Sequence, residues 1–448
     1  MGSRSAGPIE RASAADLGQL AADVGSVPNQ VGAVLLLDGP GPLDVMALRA
    51  TVAARLAGVP RLRQRLVATP RGSGPPIWID DRDFDVSRHI ATVACPPPGD
   101  QAALLAVAAH RVTTSLPRAL PLWSVTLVTG VEDRRAALIL VFHHVMADGL
   151  GGLVALAPLL DGVAAVPVPA APGPPPPPPS PRPPPTRRQL RLDAATRRRS
   201  ALRGLAGALP RLRDAIRELG GRPTVAIRTS LNRPTGSRRR VAVVRADLAT
   251  VKRIAHAHEA TVNDVLLVAV TGALAALLRH RGEEVDRLVV SVPIAARTTT
   301  AGRNQAGVAP VELPTRGTPG ERLHQVAALT RAWKHAQRGS SAALLGSGLR
   351  VLGRLRLLRW FIDHQRMVHT FVTNLRGPDQ PVSIVGMAVT DLVPISLTTG
   401  NVTVAFAAFS YAGALTVTVV ADPTHHPDLD VLLDALHDGL GAFRSDHL

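Results

Sequence analysis

Apolar residues recur along this chain with the two spacings that distinguish strands from helices. Runs rich in Val, Ile and Leu predict strands at Gln30 to Leu37, Ala137 to Phe142, near Arg240 to Val244, and Leu288 to Pro293. Helical spacing predicts helices at Asp44 to Leu56, from Leu248 onward, at Val262 to Arg279, and at Pro427 to Phe443. Because strands and helices alternate in both halves of the chain, the pattern favours the α/β fold class.

The longest uncharged run extends from Val402 to Ala421 and is long enough to cross a bilayer. Thr403, Thr416 and Thr418 alternate with apolar β-formers, and a Tyr-Ala-Gly sequence interrupts the run. Alternation around a central turn is typical of a hairpin. We therefore expect two strands here, in a protein that is soluble or peripheral rather than membrane-spanning.

A proline-rich segment from Ala171 to Pro185 divides the chain. Consecutive prolines lack amide donors and form an extended, semi-rigid segment. The predicted organisation is an N-terminal half at 1–170, a linker at 171–186 and a C-terminal half at 187–448. Each half mixes helix and strand, which permits a duplicated architecture.

The composition narrows the class of protein. Of the 448 residues, 46% are hydrophobic and 19% charged, which excludes a wholly disordered chain. Cys95 is the single cysteine, so an internal disulfide and a thiol-ligated metal centre are excluded. The N-terminal stretch lacks the apolar run of a signal peptide. We therefore expect a protein of the reducing cytoplasm.

The net charge is +17, and the positive residues are almost all arginine. They concentrate between Arg182 and Arg222, and again between Leu345 and Met367, where they interleave with apolar residues as in an interfacial helix. An anionic lipid surface, the phosphates of an acyl carrier, a solvated face or, for the second segment, packing against the protein would each explain the pattern. With 3% aromatic residues and no recognised binding motif, nucleic-acid binding is not expected.

The chemistry is concentrated in one motif. His143 and His144 follow an apolar strand, and Asp148 and Gly149 precede an apolar helical stretch. A histidine at a strand end can accept a hydroxyl proton and return it to a leaving group, because its pKa lies near neutral pH. Two histidines without a third ligand at zinc spacing do not predict a metal site. Walker, GxGxxG and GxSxG motifs are missing, so nucleotide hydrolysis, dinucleotide redox and serine-hydrolase chemistry lack support.

This HHxxxDG arrangement resembles the active-site motif of the coenzyme A-dependent acyltransferase superfamily, which includes chloramphenicol acetyltransferase and condensation domains of peptide synthetases. Within it, the chain most resembles the bacterial wax ester synthase/diacylglycerol acyltransferase family. Other stretches match that family in order: VPNQVGAVLLLDG, PRLRQRL, PIWIDDRDFDVSRH, PLW, Asn263-Asp264, SVPIAAR and TNLRGP. The stretch RASAADLGQL departs from the family pattern, since Asp16 stands at its acidic position but the expected Phe is missing.

The resemblance implies two chloramphenicol acetyltransferase-like domains of mixed α/β sheets, joined by the linker, with an active-site channel between them. It implies an O-acyltransferase that moves a fatty acyl group from acyl-CoA to diacylglycerol, as in triacylglycerol biosynthesis, or to a long-chain alcohol, as in wax ester synthesis. Acyl-CoA is then a co-substrate, and no resident cofactor or metal is expected. Together with the basic segments, it leads us to expect peripheral association with a membrane or lipid droplet.

The resemblance also implies roles for the motif residues. His144 is the expected general base, and His143 packs or hydrogen-bonds behind it. Asp148 is expected to pair with Arg297 and so hold the turn that directs His144. The backbone N–H of Gly149 is the expected donor to the oxyanion.

Three residues of the C-terminal half are expected to support this site. Asn374, in the TNLRGP stretch, is a second and weaker candidate for an oxyanion donor. Asn263 and Asp264 open a predicted helix, so they are interpreted either as an N-cap pair or as direct participants in the chemistry.

Two other functions stay open on the sequence alone. One is a condensation-type or glycolipid acyltransferase that uses a carrier-protein thioester. The other is a non-catalytic protein that binds lipid droplets or membranes, against which the intact HHxxxDG motif argues. Acyl-chain length, the choice of acceptor alcohol and the oligomeric state are not set by these patterns.

Overall fold

The computed structural model describes residues 9–56, 59–146, 160–161, 181–204, 225–294, 307–336 and 357–441. Two six-stranded mixed sheets form its framework, with helices packed against them. The described helices are α1 (Ala14–Ala22), α2 (Val45–Arg55), α3 (Gln101–Thr113), α4 (Arg187–Gly204), α5 (Leu248–Ala257), α6 (Val262–His280), α7 (Pro319–Ala336), α8 (Leu358–His364) and α9 (Leu429–Gly441). Short 3₁₀ turns occur at Pro60–Arg63, Val86–Arg88, Glu132–Arg134 and His144–Met146.

The strands are numbered in chain order. Those before the linker are β1 (Gln30–Asp38), β2 (Gln64–Val67), β3 (Ile77–Asp80), β4 (Ile90–Ala94), β5 (Trp123–Thr129) and β6 (Ala136–His143). Those after it are β7 (Arg240–Asp247), β8 (Arg287–Ile294), β9 (Gly307–Pro314), β10 (Thr370–Arg376), β11 (Ser383–Ile384), β12 (Met387–Ile395), β13 (Val404–Tyr411) and β14 (Ala414–Ala421). β2 and β3 form a separate two-stranded sheet.

The first sheet is built from both halves of the chain. Its strand order is β11-β12-β1-β6-β5-β4, in which β4 and β5 run parallel and the other neighbours antiparallel. β12 pairs with β1 from Gly32 opposite Ile395 to Asp38 opposite Ala388. The C-terminal half therefore supplies the strand next to β1. The division at 171–186 stays a prediction, since most of those residues lie outside the described ranges.

The second sheet has the order β7-β14-β13-β10-β8-β9. β10 runs parallel to both β13 and β8, and the other pairs are antiparallel. The hydroxyl of Tyr411, at the end of β13, accepts the amide of Val382 at 2.8 Å and donates to the carbonyl of Val389 on β12 at 2.7 Å. This buried side chain ties the second sheet to the strand that crosses into the first.

β6 lies in the middle of the first sheet, and all eight of its residues are buried. Leu138, Leu140 and Phe142 face one core, which includes Leu48 and Val52 of α2. Its other face packs on α3 and on Val241 and Val420 of the second sheet, in a core that includes Ala137, Ile139 and Val141. Because both faces are covered, β6 is a continuous apolar run rather than an alternating one.

α6 is the central helix of the C-terminal half. It packs among the strands of the second sheet and helices α5, α7 and α9, so apolar residues occur around its whole circumference. It is long and apolar enough by composition to cross a membrane, but two thirds of that stretch, 67%, is buried within the protein. We conclude that it is a core helix.

The basic helix α4 docks on the N-terminal half. The buried guanidinium of Arg11 contacts Asp193 of α4 at 2.5 Å and the carbonyl of Leu190 at 3.0 Å. Arg198 of the same helix donates to the carbonyl of Gly72 at 3.0 Å. The first part of the arginine-rich segment is therefore held against the protein rather than fully solvated.

The structure confirms the strands and helices predicted from apolar spacing. The Val402 to Ala421 run forms the antiparallel hairpin β13–β14, in which Ala412 and Gly413 turn the chain with positive φ angles of 45° and 86°. Of the predicted helix at Leu345 to Met367, only the last part is described, as α8. Residues 171–180 of the proline-rich segment and 205–224 of the basic segment lie outside the described residues.

Candidate active site

The candidate site begins where β6 ends. His143 is the last residue of the strand and lies opposite Gln30 of β1. His144, Val145 and Met146 then form a 3₁₀ turn that leaves the sheet. The two faces of β6 pack into two hydrophobic cores, so the position at which the turn begins is fixed.

The ring of His143 is buried and bonded through both nitrogens. Nδ1 lies 3.1 Å from the amide of Val145, which donates to it. Nε2 lies 3.2 Å from Oδ2 of Asp23. Both ring nitrogens of His143 are therefore engaged by other protein groups.

His144 is held by its backbone. Its N–H donates to the carbonyl of Asn29 at 2.8 Å. The residue is partly exposed, but its Nδ1 is buried without a hydrogen-bond partner among the described residues. Burial lowers the pKa of His144, since its own carbonyl only partly opposes this effect and His143 adds to it. His144 is therefore neutral at neutral pH, as a general base must be.

Asp23 immediately follows α1 and collects several donors. Besides His143, its carboxylate accepts the amide of Asn29 at 2.8 Å and contacts Arg118. Burial by itself would raise the pKa of Asp23, but the bonds from His143 and Asn29 and the charge of Arg118 outweigh it and lower the pKa. Asp23 is thus a carboxylate in contact with the first histidine of the motif.

The supporting residues of the C-terminal half form a second group. The side-chain amide of Asn374 on β10 lies 3.4 Å from the side-chain oxygen of Asn263 on α6. In the described part of the chain, no hydrogen bond joins these two residues to His143 or His144. Asn263 and Asn374 therefore contact each other, and a support of the histidines by these two residues stays a prediction.

Asp264 is a capping residue of α6. One carboxylate oxygen accepts the amide of Thr261 at 2.8 Å and its hydroxyl at 2.7 Å, which closes a capping box. The other oxygen accepts the hydroxyl of Thr330 at 2.8 Å. The N-cap residue is Thr261 rather than the predicted pair Asn263 and Asp264, and Asp264 completes the capping box from the third helical position with both oxygens occupied.

Three predicted site residues, Asp148, Gly149 and Arg297, lie outside the described residues. Their proposed ion pair and oxyanion contact therefore stay predictions. Within the described ranges, no group of three or more His, Cys, Asp or Glu side chains could hold a metal ion.

The junction of the two halves contains a cavity of about 70 Å³. The loop between α1 and β1 contributes Gly25, Ser26 and Val27 to its wall. From the C-terminal half, its wall includes Pro234, Thr235, Arg239, Arg359, Asp363 and residues 398–400. An adjoining apolar cavity reaches Gln30, the residue opposite His143. Neither His143 nor His144 is among the residues that line these two cavities.

Sequence reasoning missed Asp23 and Asn29, which hold the two histidines. Asp23 precedes His143 by 120 residues, and only the pairing of β1 with β6 brings them together. The sequence signal that was available is the VPNQ stretch, which contains Asn29 and lies at the start of β1. By itself, this stretch does not indicate which residues Asn29 contacts.

Sequence and structure comparisons agree on the family. Residues 13–266 match the wax ester synthase/diacylglycerol acyltransferase catalytic domain, and residues 303–444 match the C-terminal domain of the same family. A probable diacylglycerol O-acyltransferase of Mycobacterium tuberculosis is 31% identical over 417 residues, 90% of this chain and 88% of that protein. The chain belongs to the wax ester synthase/diacylglycerol acyltransferase family. It is therefore an acyltransferase, as the sequence predicted.

Solved structures confirm the fold class. The wax ester synthase/diacylglycerol acyltransferase of Marinobacter aquaeolei VT8 superposes with a TM-score of 0.66 at 22% identity, covering 96% of this chain and 98% of that one. The first condensation domain of the CDA synthetase superposes with a TM-score of 0.61 at 18% identity, covering 99% and 97%. This family member therefore has the two-domain fold shared with condensation domains.

Proposed function

We propose that this protein transfers a fatty acyl group from acyl-CoA to the hydroxyl of diacylglycerol or a long-chain alcohol, with His144 as the general base. The observation that carries this proposal is His144 at the end of β6, with its backbone held by Asn29, its Nδ1 buried and its pKa lowered by its surroundings. A neutral imidazole on a turn fixed at the end of β6 can take a proton from an alcohol that reaches it.

In the proposed reaction, His144 accepts the hydroxyl proton while the alcohol oxygen attacks the thioester carbonyl. The tetrahedral intermediate collapses, the carbon–sulfur bond breaks, and the protonated imidazole returns its proton to the coenzyme A thiolate. Because Nδ1 is buried, Nε2 is the nitrogen available to substrate. The products are an ester and free coenzyme A, and no covalent enzyme intermediate is required.

The proposal includes donors for the oxyanion. The backbone N–H of Gly149 is the first candidate, with Asn374 as the second. The contact of Asn374 with Asn263 is long, so its amide can turn toward a substrate at little cost. The Asp148–Arg297 pair is proposed to hold the turn from the other side.

Diacylglycerol is our first candidate acceptor. The Mycobacterium tuberculosis relative carries the name diacylglycerol O-acyltransferase, and the alignment covers most of both chains. Long-chain alcohols are the second candidate, because the family name includes wax ester synthase.

The test measures thiol release from palmitoyl-CoA by the purified protein, with dioleoylglycerol or hexadecanol added separately and the ester identified. We expect acceptor-dependent release that falls about 100- to 10,000-fold in His144→Ala, the range of a lost general base. His256→Ala, at an exposed histidine of α5, serves as the matched control, with comparable thermal unfolding required of all proteins. Release that neither acceptor stimulates would overturn the acceptor assignment, and activity with an acylated carrier protein would then favour the condensation-type alternative.

We also propose that the protein works peripherally on an anionic lipid surface facing the cytoplasm, either membrane or lipid droplet. Four large apolar side chains are exposed on neighbouring segments beside α8: Val225, Ile227, Leu357 and Trp360. Residues 225–227 lie against the chain after α8, since the amide of Ala226 donates to the carbonyl of Arg366. Exposed Arg228, Arg359 and Arg366 surround them, a combination typical of interfacial binding.

Flotation with vesicles tests this surface. The protein is expected to float with phosphatidylglycerol-containing vesicles, less with pure phosphatidylcholine, and less at high salt, since salt screens the arginines. Leu357→Ser combined with Trp360→Ser is expected to reduce flotation several-fold, whereas Met46→Ser, which removes a side chain of equal 63% exposure on α2, is not. Equal flotation of the two variants would refute the proposed surface.

A further inference from the structure

Asp23 connects the end of α1 to the histidine turn. Its side chain is 9% exposed and that of His143 is 4% exposed, so their contact is largely removed from solvent. The third partner, Arg118, is on the surface, with 63% of its side chain exposed. A buried carboxylate therefore contacts a buried imidazole directly before the proposed base.

The hydrogen bonds of His143 determine its tautomer. Nδ1 accepts the amide of Val145, so it cannot carry a proton itself. In a neutral ring the proton must then be on Nε2, where it is donated to Oδ2 of Asp23. The carboxylate is an acceptor only and matches this arrangement.

The bonded ring fixes the turn from two sides. Val145 is the residue after His144, and its amide is held by His143. The amide of His144 is held by the carbonyl of Asn29, whose own amide is held by Asp23. Asp23 thus supports both backbone contacts that flank the imidazole of His144.

We propose that Asp23 is a positioning residue for acyl transfer, acting through His143 to hold the turn that aims His144. This inference rests on the proposed role of His144 as the base. Asp23 touches neither substrate in this proposal, so its effect is on the geometry of the base rather than on binding.

Asp23→Asn is the informative substitution because it keeps the shape and removes one acceptor. If the amide nitrogen faces His143, it meets the Nε2 proton, and if it faces Asn29, it meets the amide of that residue. His143 can escape the first conflict by moving its proton to Nδ1, which then opposes the amide of Val145. Either arrangement releases the turn.

We expect Asp23→Asn to lower kcat about 10- to 100-fold, the cost of a displacement near 1 Å at a catalytic group, with KM for palmitoyl-CoA changed less than about twofold. Asp23→Glu keeps a carboxylate and should recover part of the lost kcat. Asp44→Asn, the same substitution at the N-cap of α2, is the matched control and should keep wild-type kcat. Wild-type kcat in folded Asp23→Asn would overturn the proposal.

A double-mutant cycle tests whether Asp23 acts through His143. In the His143→Ala background, Asp23→Asn should lower kcat by a smaller factor than it does in the wild type, because only the contact of Asp23 with Asn29 is then left to lose. Multiplicative losses in the double variant would instead show that Asp23 acts by another route, and the proposal would fail.

A measurement on the wild-type enzyme covers the case in which the variants do not fold. Nitrogen-15 NMR of labelled histidines should show His143 protonated at Nε2 and not at Nδ1, with the signal assigned by its loss in His143→Ala. The opposite tautomer would exclude the proposed contact. His144→Ala, assayed alongside, separates the two hypotheses, because an active His144→Ala protein would refute the proposed base without altering the His143 tautomer.

Discussion

At the scale of single residues, the surroundings of His144 favour the neutral imidazole that catalysis needs. A histidine in water is half protonated at pH 6.5 and mostly protonated below it. Desolvation lowers the pKa of His144, so its imidazole stays neutral to a lower pH. Because the bound proton must come from the alcohol, the enzyme is active only with the imidazole neutral. A lower pKa of His144 therefore extends the pH range of activity to more acidic pH.

This gives a prediction for the pH profile. The acid limb of kcat/KM is expected to fall at a pH below 6.5, the value for an unperturbed histidine, because the limb reports the free enzyme's base. Initial rates with palmitoyl-CoA and dioleoylglycerol from pH 8 to about 5 would measure it. An acid limb above pH 6.5 would contradict the assignment of a buried base.

A second histidine, His426, links pH to stability. Its Nε2 donates to the hydroxyl of Thr403 at 2.8 Å, and Nδ1 accepts from Arg281 at 3.2 Å. Burial, with the charge of Arg281, lowers the pKa of His426 from 6.5 to about 4. The unfolded chain therefore binds the proton first as the pH falls, so stability present above pH 6.5 is lost toward pH 4.

We expect urea unfolding of the wild type to lose about 2 kcal/mol more between pH 7 and pH 5 than that of His426→Asn. The variant retains the other titrating groups nearby, including His425, Asp422 and Asp428, and so serves as the reference. An identical pH dependence of the two proteins would show that His426 is not buried in its neutral form.

At the scale of elements, apolar spacing predicts those that are buried on a regular face. β6 and α6 were recognised because their apolar runs are long and uninterrupted. β4, β10 and α1 were missed, because their burial depends on partners distant in sequence rather than on a local period. The start of α6 is defined locally, by the capping box between Thr261 and Asp264.

The capping role of Asp264 predicts a loss of stability. Asp264→Ala would leave the amide and hydroxyl of Thr261 and the hydroxyl of Thr330 without their acceptors, at a cost of about 1–3 kcal/mol. Thr330→Val removes only one of these bonds and should cost about 0.5–1.5 kcal/mol. Urea unfolding would measure both, and an unchanged midpoint in Asp264→Ala would refute the cap.

At the scale of the whole molecule, the two halves are joined by more than a linker. β12 belongs to the C-terminal half but hydrogen-bonds along β1 in the first sheet. Without it, β1 becomes an edge strand with unpaired amides and carbonyls and an exposed apolar surface. The halves are therefore interdependent folding units.

Expression of residues 1–170 alone is expected to give an aggregating or non-cooperative product for this reason. Circular dichroism during thermal unfolding, compared with the full-length chain, would measure the missing transition. A monomeric 1–170 fragment that unfolds cooperatively would show that β12 is dispensable for the first sheet.

The sequence by itself determined the fold class, the general base candidate and the family, because a period of apolar residues and the HHxxxDG motif are local properties of the chain. The same local chemistry marked Asn263 and Asp264 as the start of a helix. It could not distinguish a cap from a catalytic role, since that choice depends on Thr330, which lies on another helix.

Only the tertiary structure decided what surrounds the motif. Asp23 and Asn29 reach the histidines because β1 pairs with β6. β12 pairs with β1 in the first sheet although Ile395 lies 363 residues after its partner Gly32. Such contacts produce no repeating pattern in the sequence, because each one joins two residues that are far apart along the chain. Burial, which moves the pKa of His144, is likewise a property of the assembled fold and not of any segment.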